Sequence, residues 1–364
     1  MKHFVPYLSA ILLFVGCSKQ PSITFSNMSE THLLKSDFSE LPNWQQEDYT
    51  NALESFTQSC KTAKTREIYK DLCMRSADAT DAKEFLTSYF TPYKISLPND
   101  DKDGLLTGYY EPEIKGSLTK KEPYVYPVYT TPKDLVVIDL SQQYPELKNY
   151  RLRGRVVGNR VVPYYDRKNV NITPIDSEVL CYTDSKIDLF FLEVQGSGRV
   201  TLDDGSTIFV GYDNQNGYQY SSIGKYLVSI SEIPLEKISL QSIKAWLEQN
   251  PSRIDEVLNY NKSMVFFRQK DKPASGSLGV VLTPKRSIAV DRRYIPLGSM
   301  LYLSAKTEAV DFNHVVMAQD TGGAIKGTLR ADIFMGYGEE AKEIAGELKA
   351  PLKLWILLPK ESSW

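Results

Sequence analysis

A mainly β fold with helices, of the α+β class, follows from three features of the 364-residue sequence. From Leu105 onward, apolar runs of strand length are broken by frequent turn residues, the pattern of a barrel or sandwich rather than of βαβ units. Helical periodicity is concentrated in two blocks, about residues 45–90 and 221–260. The length accommodates two domains, or one large one, with a substantial core, and no repeat of fixed period is visible.

The chain opens on a segment that reads as a targeting sequence. Lys2 and His3 precede the apolar stretch Tyr7–Val15, which is short for a membrane span and ends Phe14-Val15-Gly16-Cys17. A small residue before cysteine has the form of a bacterial lipobox, with Phe14 where Leu is usual. On this reading residues 1–16 are a lipoprotein signal peptide, and Cys17 begins the mature chain and carries its acyl anchor. An ordinary secretory signal with a chance cysteine is the plain alternative. Ser18, rather than Asp, directs the chain to the outer membrane of a Gram-negative cell, facing the periplasm. The polar residues 17–40 read as a tether between lipid and fold.

Tyr49, Ala52, Leu53 and Phe56 recur at helical spacing, as do Ala82, Phe85, Leu86 and Tyr89, with Thr80 and Asp81 as start signals and Thr91-Pro92 as the stop. Cys60 and Cys73 are close enough in sequence to bridge two helical segments in an oxidising compartment; Cys181 is left over and reads as a buried apolar residue. No cysteine pair has zinc-ligand spacing and the chain has 3 His, so no metal site is expected.

After the turn at residues 99–104, Leu105–Pro112 reads as a strand ending in an aromatic, hydroxyl and carboxylate cluster. Further strands are expected at Tyr124–Tyr129, Leu135–Leu140, Arg151–Val157 and Leu189–Val194, the last running into Gln195-Gly196-Ser197-Gly198. The Gly196 and Gly198 pair lacks a third glycine and a following helix, which argues against a dinucleotide site. Ser221–Ile230 and Ser239–Glu248 have helical spacing, and Ser252–Asp255 has the form of a capping box for a helix to about Tyr260. Met264–Arg268 is again strand-like. Short strands follow at Ser287–Asp291 and Val315–Asp320, then a helix at Glu339–Leu348 and a closing strand at Leu352–Leu358.

With 43 Lys and Arg against 45 Asp and Glu, the formal charge is −2. No run of like charges stands out, so capture of nucleic acid through a basic patch is not the expected activity. Asp291, Asp320 and Asp332 each begin or end an apolar run at a turn, and a compact barrel can gather all three on one side. Crowded, partly buried carboxylates raise one another's pKa, which suits a general acid for glycosidic oxygen. Alternatively, an aspartate at a Gly-rich turn simply accepts from nearby amides.

The combination Leu106–Pro112, Phe190–Val200, Val210-Gly211-Tyr212, Asn216-Gly217, Ser222-Ile223-Gly224 and the three-aspartate segment from Gly276 to Gly338 resembles the membrane-bound lytic murein transglycosylase A (MltA) family. The resemblance runs from about Leu105 to the C-terminus. It implies a double-psi β-barrel domain built from an N-terminal helical part, residues 41–112, and a three-aspartate (3D) part, residues 272–364. A smaller β-rich domain, residues 113–271, is inserted between them, and a groove between the two holds a glycan strand. The implied activity is cleavage of the β-1,4 bond from N-acetylmuramic acid to N-acetylglucosamine in peptidoglycan, leaving a 1,6-anhydro end, without metal or cofactor. Asp332 matches the catalytic acid; Asp320 and Asp291 match its supporting aspartates. Thr107, Gly108, Tyr109, Gln195, Gly196, Ser197, Gly322, Gly323 and Lys326 are the candidate substrate-binding residues. Lys326 can equally be a solvated turn lysine. The implied partners are glycan strands, the outer membrane through a lipid anchor, and cell-wall synthesis proteins, with the chain a monomer. Two other readings remain at this point: a hydrolase in which Asp320 activates water, and a wall-binding lipoprotein that does not cut.

Overall fold

The computed structural model describes residues 32–97, 103–308 and 310–360. The signal segment, Cys17 and most of the expected tether lie outside them, as does most of the turn at 99–104. The N-terminal part comprises β1 (His32–Lys35), α1 (Tyr49–Ser59), α2 (Ala63–Tyr69), α3 (Asp71–Arg75), α4 (Ala82–Tyr89), β2 (Phe90–Ser96) and β3 (Gly104–Glu111). The expected tether therefore ends earlier than residue 40. His32–Lys35 pairs antiparallel with β2, from His32 against Ser96 to Lys35 against Tyr93, and Leu33 packs on the core.

The middle of the chain forms β4 (Glu113–Ser117), β5 (Tyr126–Tyr129), β6 (Val136–Val137), β7 (Arg153–Val157), β8 (Arg160–Pro163), α5 (Arg167–Ile172), β9 (Val179–Thr183), α6 (Lys186–Gln195), β10 (Ser197–Leu202), β11 (Thr207–Gln215), α7 (Ile223–Ser229), α8 (Leu240–Gln249), α9 (Ile254–Tyr260) and β12 (Val265–Lys270). The C-terminal part is β13 (Ser287–Val290), β14 (Met300–Lys306), β15 (Asp311–Asp320), β16 (Arg330–Tyr337), α10 (Glu339–Glu347) and β17 (Lys349–Pro359).

The first and last parts share one sheet, in the order β1-β2-β17-β14-β15-β13-β16-β3. Strand β3 also pairs with β17, so the run from β17 to β3 closes on itself as a ring, leaving no free edge there. Pairings β13–β15 and β16–β3 are parallel. Alternation along each strand separates two apolar layers. Leu301, Leu303, Val316, Ala318, Leu354 and Ile356 fill the ring, while Met300, Tyr302, Val315, Met317, Trp355 and Leu357 face outward onto α1–α4. Covering both faces is why these strands are almost continuously apolar in sequence.

The helical layer is pinned by caps and a cross-link. Asp48 and Asp81 accept from Asn51 N and Glu84 N at 3.1 and 2.9 Å, starting α1 and α4. A disulfide joins Cys60 and Cys73 with Cα atoms 5.3 Å apart, and Cys181 is free and buried.

The middle part builds a second sheet, β12-β11-β10-β4-β9-β5, and a small third one, β6-β7-β8. Three expectations are corrected here. Leu189–Val194 belongs to helix α6, because Ser185 accepts from Asp188 N, Ile187, Phe190 and Phe191 are buried at helical spacing, and Gly196 ends the helix in a left-handed conformation. Ser252–Asp255 forms no capping box: Arg253 occupies the N-cap of α9 without a side-chain cap bond. The strand expected over Leu135–Leu140 is reduced to Val136–Val137.

Candidate active site

One rung of the barrel carries the acids. Ala289 of β13 is the Cα partner of Asp320 on β15 and of Asp332 on β16, and Asp332 in turn is the partner of Thr107 on β3. With neighbouring strands about 4.8 Å apart, the two aspartates stand roughly 10 Å apart at Cα, facing each other over a methyl group. A bulkier residue than Ala289 would fill that gap. Both aspartates are half-buried, whereas Ala289 is buried.

Their hydrogen bonds differ. Asp320 Oδ1 accepts from Ser277 N, Ser277 Oγ and Thr321 N at 2.9, 2.9 and 2.8 Å, and its Oδ2 accepts from Tyr109 Oη at 3.2 Å. Asp332 Oδ1 accepts from Thr107 Oγ1 at 2.5 Å, and Thr107 itself accepts from Arg330 Nη2 at 2.8 Å. Asp332 Oδ2 has no hydrogen-bond donor among the described residues. Burial raises the pKa of both acids. For Asp332 the Thr107 hydrogen bond and the Arg330 charge oppose the rise, and the Asp320 charge adds to it. Tyr109 is held well above the ordinary phenol range by burial and then by the two carboxylates, so it stays protonated and donates.

Asp291 is of a different kind. It lies just past β13, buried, with Arg293 Nη2 at 2.5 Å and Gly327 N at 3.0 Å from Oδ2. Burial pushes its pKa up, but the Arg293 and Gly327 bonds outweigh it and hold the carboxyl below its usual value. Asp291 thus fastens the loop that joins Asp320 to Asp332. In that loop a Cβ on Gly322 would meet Ile325 Cγ1 at 2.6 Å, while Gly323 faces open space and Lys326 is exposed.

Gly108 alternates with Thr107 and Tyr109 along β3, and a Cβ there would come to 2.9 Å from Ala345 Cα, so its missing side chain permits the close approach of α10. Gln195 Oε1 accepts from Tyr110 N at 3.3 Å, bringing the end of α6 to the strand that carries Thr107. Gly196 N closes α6 on Leu192 O at 2.8 Å, its carbonyl accepts from Tyr212 N at 2.6 Å, and Ser197 begins β10.

Sequence reasoning missed Arg330, Ser277 and Glu111. Arg330 had a signal, since i and i+2 on a strand share a face with Asp332. Ser277 had none, because it reaches Asp320 from 43 residues away. Glu111 is buried, paired with Arg199 Nε at 2.8 Å and accepting from Ala274 N at 2.8 Å, so it ties both crossings between the first and second sheets. Among the described residues no cluster of three or more His, Cys, Asp or Glu is arranged to hold a metal.

A closed ring of strands with two aspartates on one rung, and a second sheet after β3, is the arrangement met in a chain that carries a 3D domain. Residues 105–268 match the MltA specific insert domain and residues 286–358 match the 3D domain. The structure is similar to MltA from Neisseria gonorrhoeae, with 34% identity, a TM-score of 0.79 and coverage of 91% of this chain and 93% of that one. It is also similar to a membrane-bound lytic murein transglycosylase from Agrobacterium tumefaciens, with 28% identity, a TM-score of 0.80 and coverage of 91% and 98%. Among curated relatives, membrane-bound lytic murein transglycosylase A of Escherichia coli strain K12 is 34% identical over 69% of this chain. That match, like the one to a Buchnera aphidicola homolog, spans just under two thirds of the relative, at 64% and 65%. The Vibrio cholerae relative of the same name is 28% identical over 98% of this chain and 96% of its own length. The chain belongs to the membrane-bound lytic murein transglycosylase A family.

Proposed function

We propose that this chain is a lytic transglycosylase of peptidoglycan, with Asp332 as general acid and then base. The observation that carries the assignment is the unequal solvation of two acids on one rung. Four donated hydrogen bonds favour the ionised form of Asp320, while Asp332 receives one, so of the two acids Asp332 is the one better placed to keep its proton. Its Oδ2 is left to meet substrate.

Asp332 protonates the oxygen linking N-acetylmuramic acid to N-acetylglucosamine, and the C1–O bond breaks as positive charge builds on the muramic ring. The carboxylate so formed takes the proton of the C6 hydroxyl of the same residue. Oxygen O6 then bonds to C1, closing the 1,6-anhydro ring and returning Asp332 to its acid form. No water is consumed and no second base is needed. Burial, aided by the charge of Asp320, keeps the acid's pKa high, and Thr107, steered by Arg330, fixes one carboxyl oxygen so that the other faces the bond. The same saturation of Asp320 disfavours a hydrolase in which it activates water. Names of relatives in the family support the substrate class.

We further infer that the ring is a double-psi barrel, supported by its two parallel pairings, and that the chain divides at about residues 112 and 272, where the first sheet gives way to the second and resumes. The glycan strand lies between the bodies, near Thr107, Tyr109, Gln195, Gly196, Ser197, Gly322, Gly323 and Lys326. A lipid on Cys17 holds the protein at the outer membrane; among the described residues no helix is long and apolar enough to cross a membrane. The test is solubilisation of purified sacculi: Asp332→Asn is expected to lose roughly 10²- to 10⁴-fold in rate relative to wild type. Full activity in that variant would overturn the assignment.

A further inference from the structure

Beyond its two backbone crossings, the second body meets the barrel at the corner where β16 turns into α10. At one point Leu240 of α8 packs on the barrel core, and Gln241 Nε2 donates to Lys342 O and Glu343 O of α10, both at 3.4 Å. At the other, Arg199 of β10 reaches across. Its Nε donates to Glu111 Oε2 at 2.8 Å, and its guanidinium carbon lies 3.8 Å from the ring centre of Tyr337, the last residue of β16. The ring of Phe209, its register partner on β11, is 5.2 Å away. The backbone is tied as well, since Arg199 N donates to Pro112 O at 2.8 Å.

This clasp links two strands of the proposed site. Tyr337 and Asp332 share β16, while Arg199 and Ser197 share one face of β10. A body hung on two peptide crossings rocks about the line through them unless side chains oppose it. The long amide bonds of Gln241 oppose it weakly. A charge pair closed on buried Glu111 and stacked on an aromatic face opposes it strongly. Arginine suits the place because its planar cation stacks and pairs at once, which the compact ammonium of lysine does not.

We propose that Arg199, closed on Glu111 and Tyr337, is a positioning residue that sets the separation of β10 from β16 and, with it, the place of a bound glycan relative to Asp332. This rests on the glycan-cleaving reading above and deepens it. Arg199 touches no reacting atom; it acts through the two strands that it holds.

The test begins at Tyr337, which is 59% exposed and so is replaced without opening the core. Tyr337→Ala removes the stacking and leaves the Glu111 pair, Tyr337→Phe keeps the ring, and Arg199→Lys keeps the charge. Rates on soluble glycan strands are measured per folded protein, together with melting temperature. Distances between the bodies are read by electron double resonance from spin labels on Glu54→Cys and Lys237→Cys, exposed residues of the first and second bodies. Tyr337→Ala and Arg199→Lys are expected to lose roughly 5- to 50-fold in kcat with KM within about twofold, because a misplacement of about 1 Å costs up to about 10²-fold. Both should also broaden the distance distribution. Tyr337→Phe should match wild type in rate and in distance. A merely structural clasp would lower the melting temperature and leave kcat per folded protein unchanged; that result, or an unchanged distance distribution in Tyr337→Ala, overturns the proposal. The distances are read without turnover, so a wild type that does not cleave counts against the glycan-cleaving reading, and the distances still decide on the clasp.

Discussion

Asp320 and Asp332 are alike in sequence context and unlike in their surroundings, and that difference makes distinct demands on pH. Burial raises the pKa of Asp332, and the negative charge on Asp320 adds to the rise. Asp320→Asn removes that charge, so the alkaline limb of kcat/KM, where Asp332 loses its proton, is expected to move to lower pH; an unmoved limb would contradict the coupling. Stability follows the same logic. A folded-state pKa above the unfolded one contributes stability that is complete below the unfolded value and is lost as pH rises through the folded one. Asp332→Asn should therefore melt roughly 1–3 °C above wild type at neutral pH, with the gap closing below about pH 4. Asp291 has the opposite sign. Its lowered pKa contributes stability at neutral pH that is lost in acid, so Asp291→Asn should melt below wild type at neutral pH and converge with it in acid. The aspartates were legible in the sequence because each begins or ends an apolar run at a turn. Their unlike surroundings were not, because those depend on donors such as Ser277 and Arg330 that pairing brings in.

Strands and helices were read well where burial follows one period. Val315–Asp320 and Leu352–Leu358 lie within β15 and β17, and Glu339–Leu348 is α10. Leu189–Val194 was misread because a short, fully apolar run fits a buried strand and a buried helix equally well. The signals that decide it lie just outside the run, at Ser185 and Gly196. Strand β1 was missed because it is four residues long, with two leucines between His32 and Lys35, and takes its structure from its pairing with β2. Gly108 shows how an element's partner fixes a residue's meaning. Its place in a polar motif pointed to substrate; the fold adds that α10 lies against it. Gly108→Val should cost roughly 1–3 kcal/mol in chemical denaturation by forcing α10 off β3. A stability equal to wild type would show that the helix can yield without cost.

On the scale of the whole molecule, the acids belong to a ring that is closed only when the first and last parts of the chain meet, since β3 joins β16 and β17. The second body hangs from that ring by two crossings, both fastened at buried Glu111, whose partner Arg199 also lies 3.8 Å from the centre of the Tyr337 ring. The change of sheet after β3 and again after β12 was not legible in composition, which does not shift there; pairing alone shows where one sheet stops and the next begins. Cleavage by one acid without water is the central claim, and it is tested most directly by mass spectrometry of fragments released from sacculi in ¹⁸O-labelled water. The account predicts muropeptides lighter than the hydrolysed product by one water, free of label, and absent with Asp332→Asn. Reducing ends carrying ¹⁸O would contradict it.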